Sequence, residues 1–349
     1  MNDLNFADEI VEMIGFEKYD IGILNSSRAN FSDLVRDAIA GQIDFSLRGI
    51  FFSFGEIFFA EFISNGQLLR QLIIIAILGA LMSCLTEAFK NKSAAETGFF
   101  VTYLMAVSLA VSSFFIVAEI LNSLVSLVSA VMFAAIPLMV ALMAMSGNFV
   151  GAAGFHPTPF FGLQLLAWFI SAIFVPIVLA SAGFDIAGQI SPDGHKLKKL
   201  SELLQKIAAW SLKGSLAAFA FLLTLQKFSA PIIGNIALKT SRSVVGAVPV
   251  VGSAFTAAVD TVVNFSQAAR SGVMVALVIV LCVAIAAPLL KIFVFSFVYR
   301  LTAAFLQPVA DARLVALMDG AGKTMAMLFN AAALIGVVCI FTVVILLSF

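Results

Sequence analysis

Charge is what this sequence has least of. Between Thr97 and Phe184 the sole Asp, Glu, Lys or Arg is Glu119, and from Met325 to Phe349 there is none. Overall, 11% of the 349 residues are charged and 62% are hydrophobic, against roughly 25% and 45–50% in soluble domains. The scarcity excludes an ordinary water-exposed domain. Because about 20 apolar residues cross a hydrocarbon core, the uncharged stretches read as membrane spans. Histidine and cysteine are nearly as scarce. His156 and His195 have no second ligand at metal-binding spacing, and Cys84, Cys282 and Cys339 stand apart in apolar surroundings, so neither metal nor redox chemistry is expected. No H-E-x-x-H or G-x-S-x-G occurs, which removes the commonest signatures of metalloproteases and hydrolases. The expectation is a protein that is not an enzyme and needs no cofactor.

The net charge is zero, yet its distribution is lopsided. Residues 1–67 carry 11 acids against four bases, a balance of −7, and the rest of the chain carries the compensating +7. An acidic head repels nucleic acid and anionic lipid, so no nucleic-acid partner is expected. Within it, Phe31, Leu34, Val35, Ala38 and Ile39 fall on one helical face and Gly41 supplies a stop, as in an amphipathic helix. The following stretch, 45–64, has seven phenylalanines interrupted by Arg48, Glu56 and Glu61. It is too charged to span, and either lies along the membrane surface or packs on the spans that follow. The opening "MNDLNFADEIVEMIGF" has acids where a secretory signal has a basic start. We therefore divide the chain into an acidic, helical and partly interfacial region, 1–67, and a polytopic domain, 68–349.

The fold expected is all-α, a membrane helix bundle. Seven spans are placed near 71–89, 99–121, 123–145, 160–183, 205–227, 272–298 and 323–349, the fifth weakened by Lys206 and Lys213. Pro137, Pro176 and Pro288 fall inside spans, where neighbouring helices can satisfy freed carbonyls. Glu119 lies close to an expected span end and so near the interface, while Lys291 either snorkels or has a partner at depth. Loop charges conflict over orientation. An outward head puts Lys90, Lys92, Lys239, Arg242 and Arg270 inside but Lys196, Lys198 and Lys199 outside.

Near the end, "ARLVALMDGAGKTMAML" (312–328) invites comparison with a phosphate-binding loop. The pattern G-x-x-x-x-G-K-[ST] needs a glycine where this chain has Leu317, and it needs a flanking strand, whereas here the chain runs on into uncharged residues. Nucleotide binding by Gly320, Gly322, Lys323 and Thr324 is not expected. Instead, Gly320 and Gly322 are expected to break the chain at the membrane surface, with Thr324 near a helix start and Lys323 reaching the headgroups.

One stretch is too interrupted for a span and too apolar for a loop. In 241–271, Gly246, Pro249 and Gly252 precede a segment in which Thr256, Asp260, Asn264 and Gln267 share one helical face. A broken element at membrane depth lines a watery cavity or is buried in protein. The stripe, with Lys291, is thus a candidate pathway or interface; the other reading is a surface helix with its stripe in water.

Several segments together, "GFHPTPF", "GAVPVVGSAFTAAVDTVV" and "FVYRLTAAFLQPVAD", resemble the stage III sporulation protein AE family of endospore-forming bacteria. The resemblance runs from about residue 60 to the C-terminus. It marks Phe155, His156, Pro157, Gly246, Pro249, Gly252, Asp260, Thr261, Tyr299, Gln307 and Pro308. It implies a multi-pass subunit of a secretion-like channel complex in the mother-cell membrane around the forespore. Implied partners are a cytoplasmic ATPase, ring-forming subunits of the same operon and a forespore protein, besides membrane lipid; a homo-oligomer is left open. The family also implies a cleaved leader and an outward head, which this chain's opening residues do not display. Two other readings stand beside this one, a stand-alone permease and a scaffold without a pathway of its own.

Overall fold

The computed structural model describes residues 62–63, 66, 70–75, 77–79, 81, 92–145, 158–190, 194–245, 281–282, 284–308 and 310–347. The described elements are helices. They are α1 (Lys92–Met145), α2 (Thr158–Phe169), α3 (Val175–Ile190), α4 (Gly194–Val245), α5 (Ala284–Leu306) and α6 (Ala312–Leu347), preceded by an apolar helical segment, Arg70–Gly79. Four stretches among them are long and apolar enough to cross a membrane: Thr97–Phe133, Phe160–Ile190, Ala284–Leu306 and Ala312–Val343. The protein is an integral, multi-pass membrane protein with an all-helical bundle. The shortest of the four, 23 residues, is about 35 Å long at ~1.5 Å per residue and matches a hydrocarbon core of roughly 30 Å. The others project beyond that core.

Two expected boundaries are corrected. The spans placed at 99–121 and 123–145 are one helix, because α1 continues unbroken through Leu121-Asn122-Ser123, where neither glycine nor proline interrupts the i→i−4 bonding. Glu119 consequently sits within a span, on an exposed face, and not beside a span end. The last span does not begin at 323. α6 starts at Ala312, where the Asp311 carboxylate accepts the Arg313 N–H at 2.8 Å, a side-chain cap for an otherwise orphaned donor. It then runs through Gly320, Gly322, Lys323 and Thr324 without a break. In a helix interior the N–H groups are committed to the helix and none is free to wrap a phosphate.

The order of the helices follows from contacts at both ends. Tyr103 near the start of α1 meets Gln189 at the end of α3, and Phe133 packs on Phe160 of α2 with ring centroids 4.8 Å apart. α1 is therefore antiparallel to α2 and α3. α4 returns along the same pair: Gly194 abuts Gly188 at the turn, Ser201 Oγ donates to the Ser181 carbonyl at 2.8 Å, and Gly162 faces Phe219 and Leu222. α5 and α6 form a second hairpin, joined through Ser296 to Gly322, Phe293 to Phe329 and Ile285 to Gly336. The turn from α3 into α4 and the turn from α5 into α6 share one end of the bundle, since Asp185 lies against Gly320.

Between α2 and α3 the helix widens into a π-turn, Ile170–Phe174, with Val175 N–H bonded to the Ile170 carbonyl. Pro176 explains it. Its ring would clash with the carbonyl four residues back and it donates no hydrogen, so a wider turn relieves the clash without ending the helix. The interior is apolar, with Leu121, Leu124, Ile170, Ile292 and Leu328 wholly or nearly wholly buried. Large exposed side chains such as Phe100, Phe115, Trp168, Phe305 and Phe341 cover the outside, as suits a bundle in lipid, where apolar residues are favourable on both sides. The acidic head lies almost wholly outside the described residues, as do 82–91 and 246–280.

Candidate functional site

Polar groups inside this bundle collect in two places. At the end that holds the turns, four helices contribute to one seam. Tyr103 of α1, itself buried, donates its hydroxyl hydrogen to Gln189 Oε1 at 3.3 Å, and Gln189 Nε2 donates to Asp185 Oδ2 at 3.4 Å. Gln189 and Asp185 are four residues apart on α3, one turn, so their side chains stack on one face. Lys198 of α4 and Lys323 of α6 direct positive charge at the Asp185 carboxyl, and Asp319 of α6 adds a negative one. Arg313 balances Asp185 at Tyr103. Lys323 and Asp319, one turn apart, form an ion pair of 2.6 Å, both partly exposed.

The glycines of "GAG" make this seam and the adjoining one feasible. A methyl group on Gly320 would collide with Asp185 Oδ2, and one on Gly322 would come within 2.6 Å of Arg300 Cγ on α5. Glycine in a helix costs about 0.5–1 kcal/mol relative to alanine. Here it admits a carboxyl on one side and a helix backbone on the other, and Ser296 Oγ donates to the Gly322 carbonyl at 3.0 Å. Thr324 Oγ1 in turn donates to the Gly320 carbonyl. The residues that mimic a nucleotide loop are a packing device.

The second polar point lies deeper. Tyr299 of α5 is fully buried, and its hydroxyl is 2.8 Å from Ser113 Oγ of α1. Ser113 donates to the Leu109 carbonyl at 2.9 Å, which leaves its oxygen to accept the tyrosine hydrogen. Both hydroxyls are thereby satisfied, as buried polar groups must be. The pair ties the two hairpins together.

Of the residues expected from sequence to matter, Tyr299 is thus at the centre of the bundle. Gln307 and Pro308 are exposed in the turn between α5 and α6. Lys291 is half-buried on α5. Phe155, His156, Pro157, Gly246, Pro249, Gly252, Thr256, Asp260, Thr261, Asn264 and Gln267 lie outside the described residues, and with them all of the expected broken element except 241–245, which continue α4. Asp185, Gln189, Tyr103 and Ser113 were missed. Asp185 was legible as the first acid after 65 residues without one, just past the expected span end at 183; Ser113 carried no signal, because serine is common in spans. Among the described residues, no group of three His, Cys, Asp or Glu could hold a metal ion.

The sequence profile of the stage III sporulation protein AE family matches residues 29–349. The chain belongs to that family. It is 29% identical over 292 residues to the stage III sporulation protein AE of Bacillus subtilis (strain 168), an alignment covering 83% of this chain and 73% of the relative. No solved structure matches the chain. The family match encloses all six helices, the seam and Tyr299.

Proposed function

We propose that this protein is a non-enzymatic, multi-pass subunit of a secretion-like channel complex that links mother cell and forespore during endospore formation. It resides in the mother-cell membrane around the forespore and takes its energy from a separate ATPase. The observation that carries the reading is the family match over 29–349, on a chain whose described polar groups tie helices together and assemble no catalytic constellation. Ring-forming subunits and a forespore protein are its partners. A tagged chain isolated from sporulating cells in mild detergent tests this. Recovery of ring and ATPase subunits is expected; uptake of a solute by the reconstituted protein alone, with no such partners, would favour a permease instead.

More spans are proposed than the four. α4 packs along α2 and α3 from Gly188 to Gly162, so it crosses wherever they do, despite Lys206 and Lys213. A crossing near 71–89 precedes α1. With α1 as a single crossing, Lys92 joins Lys196, Lys198 and Lys199 at the end that holds the turns, and the short connections there argue for the cytoplasmic side. The head is then outward. A cysteine at Ser27 labelled by an impermeant reagent in intact cells is the expected result; protection until lysis puts the head inside. The element at 241–271 keeps its proposed place beside a solute pathway, with Asp260 and Lys291 facing it. Asp260→Ala with unchanged sporulation at normal protein level would remove Asp260 from it.

A further inference from the structure

The outer face of α1 sets polar residues among the exposed Leu104, Phe115 and Ile116, where lipid would demand apolar ones throughout. Ser108, Ser112, Glu119, Asn122, Ser123 and Ser126 are exposed on the stretch Thr97–Phe133. Their spacing is that of one helical face. Neither a hydrogen bond nor an ion pair joins them to another described side chain. A charge at the bilayer centre costs at least about 2.5–3.5 kcal/mol on insertion scales, and such residues face protein or water and not lipid.

α4 presents the counterpart. Leu200, Leu203, Ile207, Trp210, Gly214, Ala217 and Phe221 are all exposed and recur alternately at three and four residues, the seam of a helix pair. Lys199, Lys206 and Lys213, also exposed, flank it once per seven residues, the position that selects a partner by charge. No ion pair among the described residues reaches Lys206 or Lys213. Gly214 and Ala217 let a neighbouring backbone approach.

The two faces match in height. α1 and α4 both run antiparallel to α2 and α3. Counted from the Tyr103–Gln189 contact and from the Gly188–Gly194 approach, Glu119 is level with Ala209 and Trp210, between Lys206 and Lys213.

We propose that α4 of one copy docks on the polar face of α1 of a second copy, with Glu119 received between Lys206 and Lys213. The faces are different surfaces of opposite charge, so the contact is head-to-tail and repeats until a ring closes. This rests on the crossing of α4 proposed above. A lipid-facing α4 would leave both lysines in hydrocarbon, and a self-complementary dimer would set lysine against lysine.

The test uses the full chain in native membranes, with Cys84, Cys282 and Cys339 replaced by alanine. Two differently tagged versions, one with Glu119→Cys and one with Lys206→Cys or Lys213→Cys, are expected to cross-link on oxidation into a product carrying both tags. A chain with both cysteines is expected to give a ladder of several copies. Because these side chains are exposed, a charge swap is a second measurement. Glu119→Lys should cut co-isolation of two tagged chains roughly tenfold, and adding Lys206→Glu and Lys213→Glu should restore it. Cross-links only within one chain, only to another protein, or co-isolation indifferent to the swap would overturn the proposal. A monomeric chain that still co-isolates with ring and ATPase subunits would overturn it while leaving the proposed function standing.

Discussion

Ser112 and Ser113 are neighbours on one helix and face opposite worlds. Ser113 is buried and shares a hydrogen bond with Tyr299 across two hairpins, whereas Ser112 is exposed in a polar stripe that ends beyond Glu119. The inner face of α1 has three buried polar side chains, each with a partner: Thr102 bonds its own helix, and Tyr103 and Ser113 join α1 to its neighbours. The outer face carries six that have none among the described residues. In water the second arrangement would be unremarkable, but along a membrane-crossing helix it marks a surface meant for protein or solvent. Polar residues in a span therefore have two meanings here, and burial together with partnership tells them apart.

The comparison can be broken hardest at Tyr299. Replacing it by alanine removes a fully buried ring and should cost about 3–5 kcal/mol, as aromatic truncations in cores do. Thermal unfolding in detergent would register it as a large fall in the midpoint. Tyr299→Phe is the sharper probe, because the ring stays and Ser113 keeps its bond to the Leu109 carbonyl; a loss of about 1 kcal/mol is expected. A larger effect would mean that the hydroxyl does more than join α5 to α1.

Next comes the seam. Gly322→Val places two methyl groups against Arg300 and the α5 backbone, an overpacking that should cost about 1–3 kcal/mol and shift the same midpoint. A smaller change runs the other way. Gln164 Oε1 is buried and has no hydrogen-bond partner among the described residues, so Gln164→Leu should raise stability by about 1 kcal/mol, a desolvation penalty removed. Smallest of all, Ser112→Ala should leave the unfolding midpoint within about 0.5 kcal/mol of the parent. A marked loss of stability there would dissolve the contrast between the two faces.

Much of the architecture was readable along the chain. The uncharged runs marked apolar, membrane-crossing stretches that overlap Thr97–Phe133, Phe160–Ile190, Ala284–Leu306 and Ala312–Val343. What escaped was relational. Hydropathy could not say that 121–123 stays helical, because a loop and a continuing helix of Leu-Asn-Ser have the same composition. It could not recognise Gly320 and Gly322 as helix interior, because glycine's usual meaning is a break and only a close neighbour reverses it. The seam was hidden for a related reason: Tyr103, Asp185, Lys198 and Lys323 lie far apart in sequence and meet only where four helices end together.

By itself the sequence determined the solvent. Hydropathy sums locally over about 20 residues, so a bilayer, a helical bundle and the family were all present in one dimension. Which polar side chain is glue and which is surface was decided only by the tertiary structure. Adjacent residues on a helix differ by a rotation of about 100°, and the zero of that rotation is set by the neighbours against which the helix packs.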